Sequence, residues 1–459
     1  MNILIIVTYF PPDSTIGAVR PYMFARHLAE AGEQVTVLRA GCFEMPPFDE
    51  YEEAADFEVI SALGRNCDAE KFRRGEYQGF KENSTGRFRS LPRLVILPVK
   101  AVRDAAVIIS GKAPKCVRRV GSFLKCKKRS IDRLCEQGRH FDVVFSTCGD
   151  LENIYAGKYA AERFGAEWIM DFRDSMITAG KMYNDFWWNK FAWEATECAL
   201  KNADLVTAVS CALSDELREM CPGAEVRTLY NGFDDREAVP DTETDPGCFS
   251  MCYTGRLYDD RLPALKELAA CLAGLIRQGK VKKSRIRFKY AGSSYEEFFK
   301  AFKAAGIPDV LENHGYLSKS DTLLLQTESD LFIVLSWNAD RVRGKGILTG
   351  KFYEGIRALK PILTLVSGTL PDSELMQLQE QYNYGFCFEQ ARSKEMMPAL
   401  EEYIERLYRE KMTTGRLSYK PSQELYDAFS YTNLSEKLRS LMYELTGESR
   451  VSTETNEQA

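Results

Sequence analysis

The sequence predicts an α/β protein of two doubly wound parallel sheets facing a cleft. Three observations carry that prediction. The 459 residues are 45% apolar, enough at about 150 residues per domain for two or three full-sized cores. Short runs rich in β-branched residues alternate with segments of helical apolar spacing, the pattern of parallel strands buried on both faces and joined by crossover helices. A polar stretch with Pro and acidic residues, 234–247, separates two such series of similar size.

In order, residues 2–8 read as the first buried strand. The turn beginning Tyr9-Phe-Pro-Pro and reaching Gly17 follows; 20–31 then carries helical spacing, Gly32 ends that helix, and 34–38 makes the second strand. The alternation resumes with a strand at 141–146, a helix at 152–164, a strand at 167–171, a helix at 186–202, a strand at 204–209, a helix from Ser214 and a strand at 225–229 closed by Asn231-Gly232. The second series places strands at 249–254, 285–291, 330–335 and 361–365, with helices at 262–277, 295–305 and 351–359. The boundaries that follow are 1–235 for the first domain, with a basic insertion at 71–139; 236–247 for a linker; 248–425 for the second domain; 426–445 for a C-terminal helix; and 446–459 for a flexible tail.

Composition narrows the function. Sixty-one Lys and Arg against 66 Asp and Glu leave a net charge of −5, which argues against wholesale nucleic-acid binding. The average hides a contrast, since 71–139 holds 19 basic residues against 5 acidic ones. Within it, basic residues interleave with large apolar ones, as in Lys115-Cys-Val-Arg-Arg-Val. Such a stretch can lie on an anionic leaflet, and a solvated helical insertion would read the same. Thirteen cysteines include no C-x-x-C pair, so free thiols in a reducing compartment fit better than a disulfide framework. Three scattered histidines offer little for a metal centre. The N-terminal apolar run is too short for a signal peptide, and no apolar stretch approaches the ~20 residues of a membrane span. The expected location is cytoplasmic, with peripheral contact to the inner leaflet left open.

Several segments carry candidate chemistry. The fingerprint G-x-G-x-x-G is missing after the first strand, which disfavours simple NAD binding. Gly17 precedes the first helix, where its amide can meet an anion, or it is an ordinary turn glycine. The segment from Ser336 leaves a buried strand, crosses a glycine- and base-rich loop, and enters a helix through Gly350, Lys351 and Glu354. Lys351 and Glu354 lie one turn apart on one face. Amides and cations there suit phosphates, and one carboxylate can accept from both ribose hydroxyls; a solvated ion pair is the alternative. The loop is not a Walker A, because Phe352 stands where Ser or Thr would hold magnesium. Gly255, Arg256 and Arg261 follow the strand at 249–254, and two cations at that point can neutralise a diphosphate leaving group. Asp171, Arg173 and Asp174 end a buried strand, as an acceptor-side polar site or as a hydrogen-bonded buckle that shapes the loop.

Taken in order, these motifs resemble the retaining glycosyltransferases of family 4, which have the GT-B fold of two Rossmann-like domains. The likeness rests on Tyr9-Phe-Pro-Pro with Gly17 and Arg20, Trp168-Ile-Met-Asp-Phe-Arg-Asp174, Ala203-Asp-Leu-Val-Thr-Ala-Val-Ser210, Tyr230-Asn-Gly-Phe233, Tyr253-Thr-Gly-Arg256, and Gly350-Lys-Phe-Tyr-Glu354 running into Lys360-Pro361. It implies a nucleotide-activated sugar on the second domain, a glycan or lipid-linked acceptor on the first, and transfer with no metal and no cofactor. It gives Glu354 the ribose and Arg256 the diphosphate. Arg261 sits where a lysine usually assists, and Gly17 supplies a backbone donor. The final helix would cross back onto the first domain. Two positions depart from the family: Gly346 stands where a second glutamate often helps position the sugar, and Thr147 or Asp150 occupies the space of the usual first-domain histidine. A nucleotide-sugar epimerase on the same fold and a silent nucleotide-binding scaffold remain the rivals.

Overall fold

The computed structural model describes residues 1–13, 16–40, 57–62, 115–148, 150–176, 186–339 and 348–447. The chain divides into two compact units. One takes Met1–Val209, Leu217–Arg227 and Ser435–Ala459; the other takes Ser210–Glu216 and Thr228–Leu434. Residues 236–247, expected as a linker, therefore fall within the second unit.

Up to residue 228 the elements are β1 (Asn2–Ile6), α1 (Ile16–Glu30), β2 (Gln34–Arg39), β3 (Glu58–Ser61), α2 (Lys115–Glu136), β4 (Val143–Cys148), α3 (Glu152–Phe164), β5 (Glu167–Phe172), α4 (Phe186–Asn202), β6 (Leu205–Ala208), α5 (Cys211–Met220) and β7 (Val226–Thr228). Among the described residues the strands form a seven-stranded sheet in the order β3-β2-β1-β4-β5-β6-β7. The pairs from β3 through β6 are parallel. Ile3, Leu4, Ile5 and Ile6 of β1 are fully buried, as a central parallel strand covered on both faces requires. Helix α3 crosses the sheet closely at Gly157, where an added Cβ would lie 2.3 Å from Ser146 Oγ and 2.5 Å from Trp168 Nε1.

The described part of the basic insertion is α2. It turns Val120, Ile131 and Leu134 into the core, and Lys127 is fully buried as well. Protein thus covers these apolar residues of the insertion, while Lys125, Arg129 and Arg133 form an outward stripe at i, i+4 and i+8. Residues 71–114 of the insertion lie outside the described residues.

The later elements are β8 (Phe249–Thr254), α6 (Leu262–Arg277), β9 (Ile286–Ala291), α7 (Tyr295–Ala304), β10 (Leu311–Asn313), α8 (Lys319–Thr327), β11 (Leu331–Trp337), α9 (Gly350–Arg357), β12 (Ile362–Ser367), α10 (Glu374–Tyr382), β13 (Gly385–Glu389), α11 (Ser393–Thr414), α12 (Gln423–Phe429) and α13 (Tyr431–Thr446). The strands form a parallel sheet in the order β10-β9-β8-β11-β12-β13. A buried ion pair between Lys411 and Asp330, 2.8 Å, pins α11 to the amino end of β11. From Ser435 onward α13 belongs to the first unit, where Arg439 Nε and Tyr443 Oη donate to Glu33 at 2.7 and 3.0 Å. Both sheets are doubly wound, so the protein is α/β with two Rossmann-like domains. Among the described residues no helix is long and apolar enough to cross a membrane.

Gly157→Ala should lower stability by about 1–3 kcal/mol, the cost of overpacking, read from the urea midpoint at constant m-value.

Candidate functional site

In each sheet the chain leaves the first strand for one side and returns to build on the other, so strand order reverses beside β1 and beside β8. Helices diverge to opposite faces there and leave the carboxyl ends of β1 and β4, and of β8 and β11, as ligand crevices. Gly17 follows β1, Thr147 and Asp150 stand at the end of β4, Gly255, Arg256 and Arg261 follow β8, and Gly350, Lys351 and Glu354 lie on the helix after β11, whereas Asp171, Arg173 and Asp174 stand one strand further, at the end of β5.

In the second unit β8 ends at Thr254 and Gly255 follows with φ +126°, a conformation that favours glycine. Its amide donates to the Ala291 carbonyl at 2.7 Å and its carbonyl accepts from Tyr290 Oη at 3.0 Å. A Cβ on Gly255 would lie 2.9 Å from Lys351 Cε, so the absent side chain makes room for the lysine stem. Arg256 is exposed, its guanidinium 5.4 Å from the Tyr258 ring. Arg261 is buried, 4.8 Å from the same ring and 5.0 Å from that of Trp337 at the end of β11. Its buried Nε–H has no acceptor among the described residues, which leaves a donor for an anion.

Helix α9 starts after Thr349, whose buried hydroxyl has no partner among the described residues. The amides of Gly350 and Lys351 open its first turn, the end of a helix that favours anions. One turn on, Lys351 Nζ lies 2.8 Å from both oxygens of Glu354. Both side chains are about one quarter exposed. A residue that sequence reasoning missed completes the group. Gln326 of α8 is fully buried and donates through Nε2 to Glu354 Oε2 and to Thr254 Oγ1, each at 2.8 Å. A carboxylate accepts only, so the Gln326 amide must face it with its NH2 group. Gly255, Lys351, Glu354, Gln326 and Thr254 form one connected cluster, with Arg256 and Arg261 on the same loop. Gly346 lies outside the described residues.

In the first unit the register sets Thr147 of β4, Asp171 of β5 and Thr207 of β6 in one row. Both threonine hydroxyls donate to Asp171 at 2.8 Å, and Arg20 of α1 grips the same carboxylate through Nε and Nη2 at 3.0 and 2.8 Å. All four are buried. Burial pushes the Asp171 carboxyl up, but the Arg20 guanidinium and the two hydroxyls more than offset it and hold it below the usual aspartate value. Asp171 and Thr147 are thus brought together inside the domain rather than presented to an acceptor. Arg173 donates to the Gly17 carbonyl and so fixes the start of α1. Asp150 is half-buried and Asp174 exposed. A second buried group adjoins the row: Lys127 pairs with Glu152 at 3.6 Å and donates to Asn153, whose Nδ2 donates to Thr8 Oγ1 and to the Thr147 carbonyl at 3.1 and 2.8 Å.

No family model and no curated protein matches the sequence. Solved structures do match. The chain is similar to sucrose-phosphate synthase from Thermosynechococcus elongatus, with TM-score 0.62 and 13% identity over 98% of this chain and all of that one. It is also similar to HepE of Anabaena in complex with UDP, with TM-score 0.54 and 12% identity over 97% of this chain and all of the other. A third likeness is to the lipopolysaccharide outer core galactosyltransferase WaaB, with TM-score 0.52 and 12% identity over 97% and 99% of the two chains. At these identities what is shared is the fold, two Rossmann-like domains of the GT-B type.

Replacing Asp171 by Asn should lower stability at pH 7 by about 3–5 kcal/mol, because the buried Arg20 guanidinium loses the two charge-assisted bonds it makes to that carboxylate. In the unmodified protein the contribution of Asp171 is full above the ordinary aspartate pKa of ~3.9 and is lost as pH falls through the lower folded value, so the variant should show a flatter acid limb in urea titrations.

Proposed function

We propose that the chain is a retaining, metal-independent glycosyltransferase of the family 4 type. It moves a sugar from a nucleotide-diphosphate donor to a glycan or lipid-linked acceptor, in the assembly of a bacterial surface polysaccharide at the cytoplasmic face of the membrane. The observation that carries this reading is the cluster at the switch point of the second sheet. Glu354 is placed to accept from ribose hydroxyls, beside a helix amino end, a glycine-lined approach and the cations Lys351, Arg256 and Arg261. The fold shared with HepE, whose structure holds UDP, supports a nucleotide-sugar donor. The retaining outcome rests on the motif resemblance.

In this reading the diphosphate lies along Gly255, Arg256 and Gly350. Arg256 and Arg261 stabilise the negative charge that grows on the leaving diphosphate as the anomeric bond breaks, so no step calls for a metal. The acceptor hydroxyl attacks the oxocarbenium-like centre on the face the diphosphate leaves, and a departing phosphate oxygen takes its proton. The first domain contributes Gly17 as a backbone donor and binds the acceptor on the side of Asp150 and Asp174. The outward stripe Lys125, Arg129 and Arg133 meets anionic head groups by charge alone, since buried residues of α2 already pack in the core.

Calorimetry with UDP-, GDP-, ADP- and dTDP-sugars, followed by incubation with membrane extract, tests the reading; release of an altered nucleotide sugar from donor alone would favour the epimerase. Arg256→Ala should lower kcat about 100-fold while donor affinity changes far less, measured by initial rates and calorimetry. Neutralising Lys125, Arg129 and Arg133 to Gln should weaken sedimentation with phosphatidylglycerol vesicles about fivefold per charge, and unchanged binding would remove the membrane contact.

A further inference from the structure

Resting on that reading, the geometry points to Lys351 as a latch on Glu354 that a phosphate-bearing ligand releases more readily than a free nucleoside does, so that the donor site discriminates against free nucleosides.

The argument is a count of acceptor sites. A carboxylate offers about four lone-pair positions, two on each oxygen. Gln326 takes one on Oε2, and Lys351 takes one on each oxygen, all at 2.8 Å. One position remains, on Oε1. A ribose presents two hydroxyls and needs two positions, so Glu354 cannot grip the diol while Lys351 stays. Gln326 is not the group that leaves: it is fully buried and also tied to Thr254 Oγ1. Lys351 is the exchangeable partner, being about one quarter exposed and held by its terminal ammonium.

The same side chain already lies where an anion would receive it. Its Cε lies 2.9 Å from the place of a Cβ on Gly255, and Nζ lies 3.6 Å from it. The lysine stem therefore rests on the glycine that precedes Arg256, and rotation about its last bonds swings the ammonium from the carboxylate toward a diphosphate at that loop. A nucleoside diphosphate offers a new partner for Lys351 as its ribose takes the old one. A nucleoside must break the ion pair with nothing in return. Ribose and diphosphate recognition are thus coupled through one ammonium group, while Gln326 keeps Glu354 oriented throughout.

The test compares UDP, GDP and ADP with uridine, guanosine and adenosine by calorimetry, with competition against the bound diphosphate where the nucleoside is weak. In Lys351→Met the nucleoside should bind about two- to fivefold tighter, the release of a partly exposed ion pair, while its diphosphate binds at least tenfold weaker. Lys351→Arg should keep the preference for the diphosphate. Should Lys351→Met fail to fold by its thermal melt, Lys351→Gln reads the same ratio. If a diphosphate binds the unmodified protein but nucleoside affinity in the variant is unchanged or weaker, the latch is overturned and the donor site stands. If none of the three diphosphates binds, the grip of Glu354 on a ribose diol is refuted and the latch with it.

Discussion

A carboxylate taken partly out of water has to be met by donors, and the most informative residues of this protein are those that meet two such groups. Glu354 and Asp171 both stand near carboxyl ends of parallel strands, where strand termini open crevices. Their surroundings differ in one respect. Asp171 is closed in by four donors on three other elements, all buried, so nothing from outside can reach it. Glu354 has one buried donor, Gln326, and one partly exposed cation, Lys351. The first arrangement is a fastening within the domain; the second leaves a partner that can exchange. That contrast, rather than the presence of acids and bases, separates the structural polar cluster from the candidate ligand site.

Backbone geometry supports the second arrangement. The left-handed φ of Gly255 turns the chain sharply after β8, directs its amide and carbonyl to Ala291 and Tyr290, and clears the path of Lys351. Arg256 and Arg261 then leave the turn within reach of one ring, Tyr258. The aromatic face orients both guanidinium groups without neutralising them, so their charge stays available.

Much of the fold was legible in the sequence because buried parallel strands are dense in Ile, Val and Leu. β1, β11 and β12 announce themselves in this way, while β5 and β8 show as short runs of aromatic and sulfur-bearing apolar residues. β10 does not: Leu311–Asn313 is three residues long with a single apolar side chain, and its place comes from pairing with β9. β3 is similarly short and sits at the sheet edge. Of the site, Glu354, Lys351, Gly255 and the two arginines were visible, since their spacing within one loop or one turn is local. Gln326 was not, because its partners lie 28 and 72 positions away and a glutamine carries no charge to draw notice. Asp171 was visible as a polar residue in an apolar strand. Its role depends on Thr147 and Thr207, which only the register sets beside it. Lys127 shows the limit most clearly: one cation among 19 in its segment, it is fully buried against Glu152 and Asn153, and composition alone places it at the surface.

The row that joins Arg20, Thr147, Asp171 and Thr207 also constrains how this chain can diverge over evolutionary time. Neither Asp171 nor Arg20 can be exchanged singly without taking from the other the paired bonds that meet its charge in a dry interior. Drift at this pair is therefore expected to be concerted: a lineage that loses the aspartate does best to lose the arginine as well, and to refill the vacated volume with packed hydrocarbon.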